Sequence, residues 1–320
     1  VEVTKYFGED AVIAKECEIA YNATFMALMW DAVATKNAKL LNQGIKSLPV
    51  KLERATWLNY IRCHDDIGLG FDDRDIDLVG YEPAGHRKFL IDYFMGRYDN
   101  SHARGLPFGE NEKTGDARIS GSLASLVGLE YALENNDIEA EENAIKIILL
   151  LHSLIMSFGG IPLLYYGDEL GTINDVSFLS DPHKKGDSRW VHRPVIDWEK
   201  AELRNQPGHY QYEIFSSLKR MIAVRKEIDA FADFNNRELI DVGNEHLFVF
   251  ERYNITRQLD KVLVVANFND KPQHLNLDNL ISWGDPQYGQ LYDLYTGQQP
   301  EIFKNILVIP AFSFYWLQEA

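Results

Sequence analysis

His64, Asp65 and Asp66 close an apolar, β-rich run, TWLNYIRC at 56–63. An imidazole and two carboxylates at a strand end are groups that acid–base and electrostatic work on a polar substrate requires. Parallel-sheet enzymes place catalytic residues at such ends. Three polar groups are costly to bury unpaired, so the competing reading is a solvated helix cap or an ion pair with an arginine. The two acids alone do not define a reaction. Retaining glycoside chemistry asks for two carboxyl groups about 5 Å apart on either side of the reacting carbon. Neighbours along a strand face opposite ways, so Asp65 and Asp66 are not that pair. A second acidic pair, Asp168 and Glu169, ends the strand-like run GGIPLLYYGDELG at 159–171; adjacent acids after a strand commonly cap the next helix, which favours a structural or rim role. Arg87, Arg118 and Arg189 each lie in loops rich in Gly, Asp or Ser. A guanidinium there can fork onto sugar hydroxyls or hold an active-site aspartate, or it can form a surface pair worth little energetically. Glycine-rich phosphate loops, HExxH, GxSxG and zinc-type Cys/His spacings are absent from the sequence, which argues against NTPases, zinc proteases and α/β-hydrolases. Neither a cofactor nor a metal is expected.

The elements that must position these residues alternate. CEIAYN (17–22) reads as a short strand, and Thr24 as the cap of a helix over 25–45 with Phe25, Met29, Ala32 and Val33 on one face, ended by Gly44 and Pro49. Residues 67–125 read as a long irregular excursion with one helix in HRKFLIDYFMGRY (86–98); long loops in compact domains usually carry function. Helices follow over 141–157 and 211–228. The repeat of helix, strand and terminal charge indicates a parallel α/β unit. Beyond it, HLFVFERY (246–253), KVLVVANF (261–268) and NILVIPAFSFYWL (305–317) alternate as strands of a small antiparallel domain.

Bulk properties narrow the partners. The 320 residues carry 48 Asp and Glu against 32 Lys and Arg, a formal charge of −16. Such a surface repels phosphate backbones and anionic membranes, so neither nucleic acid nor membrane is expected as a partner, while neutral sugars meet no barrier. Cys17 and Cys63 read as free thiols of a reducing compartment. The N-terminus, VEVTKYFGED, has no initiator Met and no basic segment ahead of an apolar run; a cytoplasmic location is the expectation. No apolar stretch is long enough to span a bilayer.

YIRCHDDIG (60–68) resembles the seventh-strand motif of the α-amylase superfamily, glycoside hydrolase family 13. GGIPLLYYGDELG resembles its eighth-strand motif, and KVLVVANF a strand of its C-terminal β-domain. The doubled acid of HDDIG, TGDARISG (114–121) and DSRWVHRP (187–194) are similar to the amylosucrase and sucrose hydrolase branch. The resemblance implies an α/β fold: the C-terminal part of a (β/α)₈ TIM barrel with an inserted lobe, plus a C-terminal antiparallel β-sandwich domain. Residues 1–65 would hold the end of barrel unit five, unit six and strand seven. The lobe would occupy 66–125, units seven and eight 126–232, and the β-domain 233–320. Asp65 would be the third catalytic carboxylate, holding two hydroxyls of the glucosyl ring, and His64 would bond the same ring. Asp66 would line the acceptor or fructosyl side, Arg87 and Arg118 the acceptor channel. Arg189 would pair with an acid at the blind end of the pocket. Sucrose and α-glucan oligosaccharides are the implied substrates.

The family's nucleophile and acid/base lie on strands four and five, ahead of this region; Glu2 is near the second of these but has the wrong neighbours and is not assigned. As given, the chain is expected to be inactive without the N-terminal half of the barrel. Because an opened barrel exposes strand edges and apolar surface, it is expected to associate with that half or with a second copy, or to aggregate. An α-amylase, α-glucosidase or trehalose synthase is the alternative within the superfamily. A non-catalytic glucan-binding protein on a degenerate barrel is the alternative outside enzymes.

Overall fold

The computed structural model describes residues 7, 16–48, 54–232, 236–254, 261–280 and 291–319; Glu2 lies outside them. Three short strands, β1 (Ile19–Tyr21), β2 (Thr56–Tyr60) and, after a long crossover, Ile161–Leu163, form a parallel sheet with β2 in the centre. The register sets Ile19 opposite Thr56 and Leu58 opposite Ile161. Parallel strands require crossovers, and the first consists of α1 (Ala23–Thr35) and α2 (Lys39–Lys46).

Ten consecutive residues of α1, from Phe25 to Ala34, are buried, as in a helix packed on every side. Its cap is Asn22, whose side chain accepts from the Phe25 N–H, and not Thr24. Asn22 also donates to Asn59 Oδ1 at 3.0 Å, joining the ends of β1 and β2. The single helix expected over 25–45 is two helices. Lys36 takes the left-handed conformation (φ 52°) and ends α1. The break is held from far along the chain: the Ala38 N–H donates to the Glu245 carbonyl (2.6 Å), the Lys36 carbonyl bonds His246 Nδ1 (2.8 Å), and Lys36 Nζ pairs with Asp270 (2.6 Å).

The second crossover is ordered where the sequence reads as mostly irregular. It contains α3 (Asp73–Leu78), α4 (Pro83–Phe94), the hairpin of β3 (Leu106–Phe108) and β4 (Arg118–Ser120), then α5 (Leu123–Leu126), α6 (Leu129–Asn135) and α7 (Ile138–Ser157), which returns to β5, the strand Ile161–Leu163. Asp72 and Glu82 cap α3 and α4 through side-chain acceptors. Gly159 and Gly160 join α7 to β5 with φ of 99° and 114°. A Cβ at residue 160 would run into the Trp57 carbonyl, so only glycine lets β5 approach β2 this closely.

After β5 come α8 (Trp198–Ala201), α9 (Tyr210–Glu227) and α10 (Asp229–Ala232). The remaining strands are β6 (Arg237–Leu239), β7 (Leu247–Tyr253), β8 (Lys261–Asn267), β9 (Gln273–Asn276), β10 (Leu291–Asp293), β11 (Ile302–Phe303), β12 (Ile306–Ile309) and β13 (Phe314–Glu319). They form two antiparallel sheets, ordered β10-β13-β8-β7-β6 and β11-β12-β9. The alternation of β7 explains its burial on both faces. Leu247 and Val249 share a core with Leu275, Leu307 and Ile309 of the second sheet. Phe248 and Phe250 point the other way and meet Phe158, and Phe248 also meets Phe25, at ring distances of 5.7–6.4 Å. Burying each such ring contributes about 1.5–3 kcal/mol. The strand expected over 305–317 is two strands in different sheets, because Phe312 turns left-handed (φ 47°) after Pro310. No helix among the described residues is long and apolar enough to cross a membrane.

Candidate active site

The regular pairing of β2 ends at Tyr60, and residues 61–66 leave the sheet as an irregular turn. Arg62 turns inward. Its Nε and Nη2 both lie 2.9 Å from Asp168 Oδ1, with the two side chains 3% and 2% exposed. Asp168 opens the short 3-10 turn after β5, so this pair ties the ends of β2 and β5 together. Burial pushes the Asp168 carboxyl up to about 6, against the opposing pull of Arg62. Asp168 thus serves a buried ion pair with Arg62.

His64 and Asp65 face solvent, their side chains 62% and 50% exposed, with His64 Nε2 3.4 Å from Asp65 Oδ2. Asp66 is 8% exposed and meets Arg118 Nη1 at 3.4 Å. Arg189 Nη1 reaches both acids, at 3.3 Å from Asp65 and 4.0 Å from Asp66. Strand alternation therefore does not separate them, because both lie past the end of β2. Asp187 holds the other edge of Arg189 through two contacts of 2.9 Å, and this hydrogen bonding keeps the Asp187 carboxyl below its ordinary range. The guanidinium of Arg189 stacks 4.4 Å from the Phe108 ring of β3.

Three elements meet here. Ile67 and Ile119 exchange backbone bonds of 2.7 and 2.9 Å, laying the acidic turn against β4. Ser188 Oγ donates to the Pro107 carbonyl at 2.8 Å and fixes the loop after β5 to the same hairpin. His192, 1% exposed, accepts from the Gly121 N–H at Nδ1 (3.1 Å), which leaves Nε2–H to donate to the His64 carbonyl (3.1 Å). Burial pushes His192 down to about 4. Arg193 donates from Nε to the same carbonyl at 2.7 Å, and its Nη2 lies 3.7 Å from Asp65.

The structure thus gathers five of the six residues singled out: His64, Asp65, Asp66, Arg118 and Arg189. Arg87 stands apart: it lies on α4 and not in a loop, pairing with Asp73 at 2.6 Å and donating to the Phe71 carbonyl at 2.9 Å. Sequence reading passed over Arg62, Asp187, His192 and Arg193. The signal for the last three was the string DSRWVHRP, where only the first arginine was taken.

Cys63, His64 and Asp65 bring three metal-ligating atoms within 4.8 Å of one another. Burial raises the Cys63 thiol, and two guanidiniums already face Asp65, both of which disfavour a cation. A half-exposed carboxylate flanked by imidazole and guanidinium suits a neutral polyol instead. It can accept hydroxyl hydrogen bonds and oppose positive charge that develops on a sugar ring.

No protein-family model matches the chain. Among curated proteins it is 26% identical over 348 residues to trehalose synthase/amylase TreS of Mycolicibacterium smegmatis, covering 99% of this chain and 51% of the relative. It is 24% identical to glucosylglycerate phosphorylase of Escherichia coli, over 86% of this chain and 45% of the relative. The chain spans about half the length of the curated relatives it matches. Among solved structures, AmyP in complex with maltose superposes with a TM-score of 0.58 at 12% identity, covering 97% of this chain and 51% of that one. Sucrose 6F-phosphate phosphorylase from Thermoanaerobacter thermosaccharolyticum does so with 0.53 at 17% identity, over 78% and 43%. Relatives and structural neighbours alike are enzymes of the α-amylase superfamily, glycoside hydrolase family 13, and the fold that this chain shares over its length is a portion of the α-amylase type.

Proposed function

We propose that this chain is the C-terminal half of a retaining α-glucosyl-transferring or hydrolysing enzyme of the amylosucrase and sucrose hydrolase branch, acting on sucrose and α-1,4-glucans. The observation that carries this reading is the meeting of Asp65 and Asp66 with Arg118 from the inserted lobe and Arg189 from the loop after β5. These are the residues for which the motifs imply roles, and they come from three separate segments. Asp65 then grips the glucosyl ring and favours its distorted, positively charged transition state, while Asp66 and Arg118 face the acceptor side. Residues 1–65 and 126–232 are barrel, 66–125 the lobe, and 233–320 the β-domain. The nucleophile and proton donor come from strands four and five of the whole protein, and the chain by itself does not turn over.

The test is release of fructose and glucose from sucrose as sole substrate, by the product of the whole gene and by this chain. Release by the former alone, with fructose in excess over free glucose, supports a transferase. Absence of release from sucrose together with conversion of maltose overturns the sucrose reading. The similarity to trehalose synthase/amylase TreS along 99% of the chain favours the trehalose synthase or amylase alternative, and trehalose formation from maltose would identify the former.

A further inference from the structure

We propose that His192 and Arg193 form a positioning clamp that sets the place of the catalytic segment His64–Asp65, and that Arg193 is a determinant of turnover not found by motif reading. The inference rests on the proposed role of Asp65.

The segment needs such a device. Asp65 lies five residues beyond the end of β2 and two before the Ile67–Ile119 bridge, outside the strand pairing on either side, and its carboxylate is half exposed. A carboxylate that must meet a transition state holds its rate only if its position is fixed to a fraction of an ångström. Two donors converge on one acceptor just before it: the His64 carbonyl receives Nε–H of Arg193 at 2.7 Å and Nε2–H of His192 at 3.1 Å. A carbonyl has two lone pairs, and both donors come from the same loop, one residue apart. Arg193 then uses a second nitrogen on the Asp65 carboxylate at 3.7 Å, so one planar fork contacts backbone and side chain of adjacent residues.

The clamp is itself anchored. His192 is fully buried and its remaining ring nitrogen accepts from the Gly121 N–H. That hydrogen bond selects the tautomer that donates to His64. The guanidinium of Arg193 lies 5.5 Å from the Trp190 ring, whose surroundings also hold Lys184 Nζ at 4.6 Å. The Asp175 N–H donates to the Val191 carbonyl at 2.8 Å, closing the loop on itself. Arg189 differs: its guanidinium stacks on Phe108 and hydrogen-bonds or pairs with the carboxylates of Asp65, Asp66 and Asp187, not with the backbone of the acidic turn. Arg189 sets charge, whereas His192 and Arg193 set position.

The experiment uses the whole protein with sucrose, or maltose where the second reading holds. Asp65→Asn is measured first; it should lose at least about 10²-fold in kcat. Arg193→Gln is expected to lose about 10²-fold in kcat with KM changed less than about threefold, because the lost contact holds a transition-state group and not the ground-state substrate. Arg193→Lys, which keeps the charge and one donor, should recover roughly a tenfold part of that loss. His192→Gln, which retains a donor near Nε2, should stay within about fivefold of wild type, while His192→Phe falls with Arg193→Gln. An Arg193→Gln enzyme with kcat within about threefold of wild type overturns the clamp. So does a loss shared equally by kcat, KM and thermal midpoint with no rescue by lysine, which would mark a merely structural residue. Unchanged turnover in Asp65→Asn defeats the functional reading itself, and the clamp with it.

Discussion

Two sets of three arginines lie on this molecule in opposite circumstances. Arg118, Arg189 and Arg193 crowd around the carboxylates of Asp65 and Asp66 at a solvent-facing mouth. Arg225 of α9, Arg237 of β6 and Arg252 of β7 converge on the end of α7, where they donate to the successive carbonyls of Met156 (2.8 Å), Ser157 and Phe158 (2.6 Å). A helix leaves its last carbonyls unsatisfied and its C-terminus partly negative, and in a buried position protein donors must take the place of water. Arg252 is fully buried and also bonds Ala230 and Asn236. Arg237 stacks 3.6 Å from the Phe158 ring, and burial pushes its guanidinium down to about 10. The first set is poorly placed to stabilise the fold, since exposed ion pairs contribute little. Arg118, with its side chain 64% exposed, keeps its charge open to a ligand. The second set is committed to the fold and has no access to one.

That contrast can be broken by measurement. Arg252→Ala strands buried carbonyls and is expected to cost about 3 kcal/mol in urea unfolding; a loss below about 1 kcal/mol would remove the distinction between the two sets. The buried Arg62–Asp168 pair belongs with the second set and adds a pH signature. Asp168 titrates at about 6 in the folded protein against an ordinary 3.8. Between those values the folded state keeps a proton that the unfolded chain has lost, so this group's contribution to stability falls as pH rises from about 4 to about 6. Asp168→Asn should remove that slope, a change of about 1–3 kcal/mol across the window. His192 acts in the opposite sense. Its folded value of about 4 lies below the ordinary 6.5, so it contributes stability that is lost as pH falls from about 6.5 towards 4, and His192→Gln should flatten the acid limb of the unfolding midpoint. Arg87→Ala, which releases Asp73 and the Phe71 carbonyl, should cost about 1 kcal/mol. The smallest effect belongs to Arg118→Ala: unfolding unchanged within about 0.5 kcal/mol, with weaker oligosaccharide binding by the whole protein as the sign that its charge serves a ligand.

Much of this arrangement was legible in the sequence because it is local. The apolar run 56–63 ending in His64, Asp65 and Asp66 announces a strand with a charged turn at its end. The periodicity of α7, α9, β7 and β8 places those elements within a few residues of where they lie. The failures occur where distant contacts decide. Nothing in ATKNAK signals a helix break, since Lys36 turns left-handed for a reason some two hundred residues away, at Glu245, His246 and Asp270. Pro310 was a visible cue within 305–317, yet the strand's division between two sheets depends on the packing of Phe312 and its neighbours. At the site, Arg62 and Asp168 stand 106 residues apart, and His192 and Arg193 meet His64 across 128 and 129. Side-chain type shows that such groups can pair, but only the fold shows which do.

The three donors at the end of α7 also impose an order on biosynthesis. The Ser157 carbonyl waits for Arg252, 95 residues further along the chain, and the Phe158 carbonyl for Arg237, 79 residues further. A nascent chain emerging from its N-terminus therefore finishes α7 long before the donors that close it exist. Since Gly159 and Gly160 lead straight from that helix end into β5 and Asp168, the helix end that precedes the Arg62–Asp168 pair lacks these donors until the terminal strands have been made. An exchange of the terminal β-region for one lacking these two guanidiniums would leave the Ser157 and Phe158 carbonyls without those donors and so reach the Arg62–Asp168 pair from behind.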